Sequence, residues 1–468
     1  MAKKNDYDVI VIGAGIGGLV CGCYLAKSGM RTLIVEKNPK AGGYCTSFTS
    51  NGMRFDSFVH SLGGCRENGI ISNIIKDFNL KNRIKLRRSD PCDTVISPDH
   101  QVCFRSDIDR TISSFQESFP KEKNAIKDFF YDISHLSSTS LIRMRGDTFG
   151  DLLGRYFNDD HLKAILSIPV LGNMGLPPSL ASAFSAVKLY TEFMMDGGYY
   201  FEGGMQVFPD SLTTKFKELG GDIALSTSVK KIKVKNGKIE GVVLKQAGTL
   251  SSKYIVSSTD AVQTFFQLLG EKVVGTEFLD KLTRLKPSLS MFILHLGLRH
   301  IPKGLPKEGT NVWFIPHYDI EGMYKAAKNR SAVNLAEYMV HISSEKTMSV
   351  FINACFRDIK YWHGQKELIS DSLIKMIKKT VPVSPDNIIY RQPATPQMLY
   401  KYTLNYEGAA YGWASTPSQF AEPGLSQTTG VRNLYLAGHW TTLAQGVSGV
   451  AYLGRDTANI ILKKEAAA

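Results

Sequence analysis

Tyr7-Asp8-Val9-Ile10-Val11-Ile12-Gly13-Ala14-Gly15-Ile16-Gly17-Gly18 decides the fold. Tyr7 to Ile12 is a short apolar run rich in β-branched residues, the pattern of a strand buried on both faces. Gly13, Gly15 and Gly18 then complete a G-x-G-x-x-G spacing, with Gly17 inside it. Leu19 to Ser28 reads as a helix stopped by Gly29, Arg31 to Val35 as a second strand, and Glu36 stands at its end, 21 residues after Gly15. Each part has a physical reason. Gly13 permits the tight turn, Gly15 lets the backbone approach a pyrophosphate, and Gly18 lets helix and strand pack closely. The helix N-terminus attracts phosphate charge. Glu36 is placed to accept hydrogen bonds from ribose hydroxyls. Strand, glycines, helix, strand and acid within 36 residues predict a dinucleotide site.

The sequence beyond Glu36 narrows the dinucleotide. Lys37 leads to the pair Gly42-Gly43 and then Tyr44. In two-domain FAD enzymes of the glutathione-reductase-like class, a glycine pair follows the acid by about six residues, where the chain crosses the cofactor and a side chain would collide. No second G-x-G-x-x-G follows a strand downstream, so FAD is expected and a separate NAD(P) domain is not. Near the C-terminus, Asn433 to Ala437 reads as a strand. Gly438-His439-Trp440 follows, and Gln445-Gly446-Val447 opens a helix through Leu462. A glycine turn before a helix N-terminus is a second cradle for negative charge.

These blocks together resemble the carotenoid and retinoid branch of FAD oxidoreductases, which holds phytoene desaturases, carotenoid cis–trans isomerases and retinol saturases. Besides the fingerprint and Gly42-Gly43, the resemblance rests on Phe55-Asp56-Ser57 leading to His60 and on Tyr200-Phe201-Glu202-Gly203-Gly204-Met205. It extends through Gly220 to Val229, Val256 to Ala261 and Asn433 to Val450. The run Gly175-Leu176-Pro177-Pro178-Ser179 is most like the isomerase and saturase-like bacterial members. Two positions depart from the family: Tyr44 stands where arginine is usual, and His439 where many members have aspartate.

The resemblance implies an α/β fold, a Rossmann-type FAD-binding domain with an inserted α+β substrate domain. The FAD domain is expected from 1–80, 200–285 and 425–468, and the substrate domain from 81–199 and 286–424. Val229 would cover the adenine through its backbone, and Ser258 would end a strand beside the cofactor. Gly438, His439, Gln445, Gly446 and Val447 would meet the flavin end. Among acid–base candidates, His60 lies in a block resembling the wall facing the flavin, and Glu202 lies where the family chain bends beside the ring. Tyr200, with its neighbour Tyr199, is a candidate proton donor. Arg143 and Arg145 are candidates to meet a charged substrate end. No metal cluster is expected. Flavin chemistry asks the protein for placement, with the reacting carbon about 3–3.5 Å from the flavin. A polyene or lipid has few polar handles, so an apolar tunnel is expected to position it. Residues 164–187 contain no Asp, Glu, Lys or Arg and suit that task, as do Phe193, Tyr199, Tyr200 and Phe201.

Charge and composition bound the rest. The 468 residues carry a net charge of +13, with 43% hydrophobic and 21% charged residues, as in a globular chain. The surplus is spread: residues 1–100, 101–200, 201–300 and 301–468 carry +5, −2, +5 and +5. There is no basic tail, which argues against a nucleic-acid partner. Lys81, Arg83, Lys85 and Arg87 alternate with other residues, as do Lys231, Lys233 and Lys235, so each set is expected on one strand face. Such faces suit an anionic membrane surface. Seven cysteines without a C-x-x-C pair and a polar start, Met1 to Asp8, lead to the expectation of a cytoplasmic protein with peripheral membrane association. Three functions fit. One is desaturation or saturation of a C=C/C–C bond in an isoprenoid or lipid, and another is redox-neutral cis–trans isomerisation using reduced FAD. The third is non-catalytic lipid binding, as in the GDI and Rab escort proteins. The electron partner cannot be read from the sequence.

Overall fold

The structure, a computed structural model, describes residues 6–245, 248–329, 337–421, 426–441 and 445–467. The outer ends of the expected FAD-domain segments, residues 1–5, 425 and 468, lie outside that set.

Tyr7–Ile12 forms strand β1, its last four residues fully buried, and Ile16–Lys27 forms helix α1. Thr32–Val35 forms β2. β1 lies parallel between β2 and Gly248–Ser257. The whole sheet has seven strands: Val229–Lys235, Lys238–Leu244, Gly248–Ser257, β1, β2 and Asp222–Ala224 in order, with Leu434–Leu436 also paired to Gly248–Ser257. The strand Gly248–Ser257 serves two partners. Its first residues return antiparallel to Lys238–Leu244, and its later ones run parallel to β1. Asn236-Gly237 makes the hairpin turn between Val229–Lys235 and Lys238–Leu244, with both residues at positive φ (51° and 68°), as a two-residue hairpin demands. One face of the sheet packs on α1 and the helix Gly446–Ala466, and the other on residues 261–282. With both faces covered, the central strands are apolar throughout rather than alternating.

A second seven-stranded sheet has the order Ile388–Ala394, Ser290–Leu298, Thr347–Ala354, Tyr338–Ser344, Asn311–Phe314, Asp93–Ile96, Gln101–Phe104. On one face Phe292, Leu294, Val340 and Ile352 meet Trp362, Ile369 and Leu373 of the helix Ile359–Met376. On the other, Met291, Ile293, Trp313, Met339 and Phe351 join a large core with the helices between residues 108 and 189. The chain is thus mixed α/β, a Rossmann-type sheet joined to a second, mostly antiparallel one.

One local expectation is corrected. Lys81, Arg83, Lys85 and Arg87 do not share a strand face: only Leu86–Arg88 is a strand, and residues 81–83 form a turn after the helix Ile70–Asp77. The turn forms because the Arg83 N–H bonds back to the Leu80 carbonyl at 2.8 Å. Arg83 pairs with Glu218, and Arg87 with Glu202 at 2.7 Å. Lys231, Lys233 and Lys235 do share an exposed face, with Ile232 buried behind them. In the uncharged segment, Pro169 stands within a continuous helix, Asp160–Met174. That helix is buried nearly all round, so packing outweighs the lost N–H bond. No helix among the described residues is long and apolar enough to cross a membrane.

Candidate functional site

The fingerprint loop is built by backbone hydrogen bonds that leave it no freedom. The Gly13 N–H bonds to the Val35 carbonyl at 2.8 Å, and the Ser258 N–H to the Ile12 carbonyl at 2.8 Å, so the loop leaves the sheet between two anchored strands. The Gly42 N–H bonds to the Ala14 carbonyl at 2.8 Å, which lays the glycine pair across the loop. Gly42 has φ +129°, and a Cβ there would sit 2.7 Å from the Cys45 carbonyl oxygen. Gly18 is fixed by contact: a Cβ would sit 2.1 Å from the Gly13 carbonyl oxygen. The two chain ends also meet. A Cβ on Gly17 would lie 3.0 Å from the Gly438 nitrogen, and one on Gly454 would lie 2.3 Å from the Gly17 carbonyl oxygen. Only glycines let α1 and the helix Gly446–Ala466 cross this closely.

These elements enclose a cleft of about 1350 Å³, counting its open mouth. Gly13, Gly15, Gly17, Glu36, Lys37, Gly42, Gly43, Tyr44, Val229, Ser258, Gly438, His439, Gly446 and Val447 all line it. Gly18 and Gln445 stand behind the lining. Gly18 packs helix on loop, and Gln445 donates from Nε2 to the Ser415 hydroxyl at 2.8 Å. The Glu36 oxygens accept the Ala14 and Asn38 N–H groups, each at 2.8 Å, which leaves a lone pair on each oxygen for a ribose. Lys37 donates to the Tyr402 carbonyl and to the Asn38 side chain.

Two helices start at this cleft, α1 after Gly15 and Gly446–Ala466 after Gln445. Neither start has a side-chain cap or an acidic residue in its first turn. Uncapped N–H groups aimed into a cleft form an anion site at each start. With Glu36 for a ribose and glycines where a pyrophosphate needs backbone contact, the residues fit FAD.

The flavin-side wall was only partly legible from the sequence. Tyr44 stacks on Phe58 at 4.3 Å, and Phe58 meets Tyr411 edge-on at 6.2 Å. The Tyr44 hydroxyl donates to the Ala409 carbonyl at 3.0 Å. Trp440 stands edge-on to His439 at 5.6 Å and donates from Nε1 to Asn405 at 3.0 Å. Phe58, Tyr411 and Asn405 line the cleft but were not anticipated, and Trp440, quoted in the C-terminal cradle, lines it too. The aromatic-glycine run Tyr411-Gly412-Trp413 was the available signal.

The acid–base candidates are not gathered at the cleft. Tyr200 is fully buried, bonded to Asp56 and to the Ser343 carbonyl, and ties the strand Tyr199–Phe201 inward. Glu202 is part-exposed and paired with Arg87. Arg143 and Arg145 are exposed. His60 is buried behind the cleft wall, its ring edge-on to Phe193 at 5.9 Å, and burial holds its imidazole down at about 4. Tyr199 carries Arg88 over its ring at 4.9 Å, and Phe201 stacks on Phe208 in the core. Among the described residues no group of three or more His, Cys, Asp or Glu could hold a metal.

A dinucleotide fingerprint, a second uncapped helix start and a substrate-side sheet define an FAD-dependent oxidoreductase fold. The chain belongs to the flavin containing amine oxidoreductase family, whose pattern matches residues 16–263. It is 25% identical over 500 residues to the all-trans-retinol 13,14-reductase of Rattus norvegicus, covering 92% of this chain and 82% of that one. The chloroplastic prolycopene isomerase of Daucus carota is 24% identical, covering 97% and 80%. The 1-hydroxycarotenoid 3,4-desaturase of a Flavobacterium is 24% identical, covering 97% and 98%. In three dimensions an oxidoreductase from Methanosarcina mazei superposes with a TM-score of 0.69 at 17% identity over 97% of this chain and 99% of that one. That likeness is one of fold.

Proposed function

We propose that the protein uses FAD to add or remove hydrogen at a carbon–carbon bond of an apolar polyene or lipid. The observation that carries this reading is the neutral aromatic wall opposite the Glu36 end of the cleft. Burial holds the His439 imidazole at about 4 and pushes the Tyr44 phenol up to about 12, so both are uncharged near pH 7. Among the described lining residues, Glu36 is the one carboxylate, and it serves the ribose end. An ammonium substrate would find no counter-ion at the aromatic end, whereas a conjugated chain finds flat apolar surfaces. The names of the retinoid and carotenoid relatives favour the same substrate class.

When bound, FAD supplies a carrier that takes or gives a hydride. The chain's residues do the remaining work. The N-terminus of Gly446–Ala466 offers its positive dipole end to the negative charge of the reduced cofactor. Tyr44, Phe58 and Tyr411 exclude water and orient the chain of the substrate. Redox-neutral isomerisation is the second reading, favoured by the carrot prolycopene isomerase, which matches 97% of the chain. Non-catalytic lipid binding accounts poorly for two uncapped helix starts facing one cleft. Substrate uptake from an anionic membrane belongs to the same proposal, supported by the exposed Lys231, Lys233 and Lys235 face.

The purified protein is expected to be yellow, and a conjugated polyene is expected to shift its flavin absorption. A preparation that stays colourless after FAD is added contradicts the reading.

A further inference from the structure

Behind the aromatic wall lies a second, smaller space. On the inner face of the second sheet, Met339 stands opposite Phe351, and Glu337, just before the strand Tyr338–Ser344, shares a pocket with Asn353 near the end of Thr347–Ala354. With His60, and with Leu171 and Gly172 of the helix Asp160–Met174, these residues enclose a pocket that holds little more than a water-sized group. It shares a wall with the cofactor cleft. The Tyr411 hydroxyl donates to the Gly172 carbonyl at 2.9 Å, and Phe351 lies against Phe58 and His60, at 6.5 and 5.6 Å.

The pocket is buried and mostly apolar, and a few polar atoms in its wall lack partners. His60, Glu337 and Asn353 are 9%, 7% and 3% exposed. Yet His60 Nδ1, Glu337 Oε2 and Asn353 Oδ1 have no hydrogen-bond partner among the described residues. Asn353 Nδ2 donates to the Leu171 carbonyl at 3.2 Å, so Oδ1 is a free acceptor. His341 stands beside His60 with ring centroids 5.9 Å apart. Its Nδ1 donates to Asn311 Oδ1 at 2.9 Å, because Asn311 Nδ2 is engaged by Asp93 at 3.1 Å, and this leaves Nε2 bare. A buried polar group without a partner costs stability unless a ligand or water satisfies it, and here several share one place.

We infer that this pocket receives the terminal hydroxyl of an otherwise apolar substrate, which donates to Asn353 or His60 and accepts from Glu337. The inference rests on the polyene reading above and specifies one end of that substrate. Burial lifts Glu337 to about 8 and keeps His60 at about 4, so near pH 7 the walls carry no charge. That favours an alcohol over an ammonium or a carboxylate. The pocket's size excludes a bulky head group.

The test is binding, independent of turnover. Oxidised holoprotein is titrated with matched conjugated polyenes ending in a hydroxyl, an ammonium or a methyl group, and Kd is read from the flavin absorption. The alcohol is expected to bind about 10- to 100-fold tighter than the methyl form, since the methyl form leaves the polar atoms unpaired. Asn353→Leu is expected to bring that ratio down toward 1. Glu337→Gln, which keeps the volume, should lower it by a smaller factor and serves if the first variant does not hold FAD. Equal Kd values for alcohol and methyl forms in the unaltered protein overturn the inference. So does a preference for the ammonium, or a ratio that survives both substitutions, which would leave the pocket with water only. An intact ratio without turnover supports the pocket and strikes the reaction proposed above instead.

Discussion

Gly18→Ala puts one methyl group where the structure has no room for it. Its carbon would lie 2.1 Å from the Gly13 carbonyl oxygen and 3.1 Å from Ser258 Cβ, and the nearer atom is backbone held by the sheet. An ordinary carbon–oxygen contact needs about 1 Å more, so α1 must retreat from the loop by roughly that distance. The N–H groups at its start then leave the position from which they reach a pyrophosphate. Losing two charge-assisted hydrogen bonds at about 1.5 kcal/mol each weakens FAD binding by about 3 kcal/mol, or roughly 100-fold. Overpacking adds about 1–3 kcal/mol of lost stability. Gly29→Ala is the control. Gly29 has φ +83° with nothing within 4 Å of its built Cβ, so alanine there costs about 1–2 kcal/mol of backbone strain and leaves FAD affinity alone. Apoprotein of both variants is titrated with FAD by fluorescence, and thermal unfolding is recorded alongside. A Gly18→Ala protein that binds FAD as tightly as the unaltered chain refutes the reasoning.

Three further outcomes are expected. Glu36→Ala removes the acceptor of both the Ala14 and Asn38 N–H groups, so FAD affinity should fall by about 2 kcal/mol in the same titration. Burial lowers the His60, His295, His341 and His439 imidazoles below their ordinary range. At these positions the unfolded chain binds more protons than the native one between about pH 6.5 and 4. Each imidazole therefore withdraws stability on acidification through that window by up to about 1.4 kcal/mol per pH unit, while Asp93, Asp260 and Glu337, raised by burial, take up protons in the native state and oppose it. His295→Gln should raise the urea midpoint at pH 5 relative to that at pH 7, and a pH 7 to pH 5 difference unchanged by that substitution would contradict this. Lys231, Lys233 and Lys235 changed together to Gln should weaken salt-sensitive binding to anionic vesicles roughly tenfold or more. Lys81, Arg83, Lys85 and Arg87 changed to Gln should matter less, because Arg83 and Arg87 already face Glu218 and Glu202.

What the sequence disclosed follows from which interactions are local. Gly13 to Glu36 is a contiguous strand, turn, helix and strand, and each glycine answers a steric demand within the unit, so its local structure was legible in the sequence. The C-terminal cradle was legible for the same reason. The directions of Tyr200 and Glu202 were not legible, because they depend on pairing with Leu86–Arg88, where Arg87 lies opposite Tyr200. That pairing joins segments over a hundred residues apart and turns Tyr200 into the core and Glu202 toward solvent. The aromatic wall was missed for a similar reason. Phe58 and Tyr411 meet although more than 350 residues separate them, and neither block says which side chain faces the other. His60 was named from its own block, but its neighbours His341 and Asn353 stand on two strands, and Glu337 just before one of them, whose register no local pattern announces.

The central claim is that the cleft holds FAD against a carbon–carbon bond of an apolar chain. Its most direct test is the mass of the product after reduced and, in a parallel sample, oxidised holoprotein is incubated without oxygen with a conjugated polyene alcohol. A polyene heavier by two hydrogens as reduced flavin reoxidises, or lighter by two as oxidised flavin is reduced, is expected; isomerisation would give an unchanged mass with altered chromatographic retention. A polyene recovered from both samples with mass and retention unchanged, from protein shown to carry FAD, would contradict the claim.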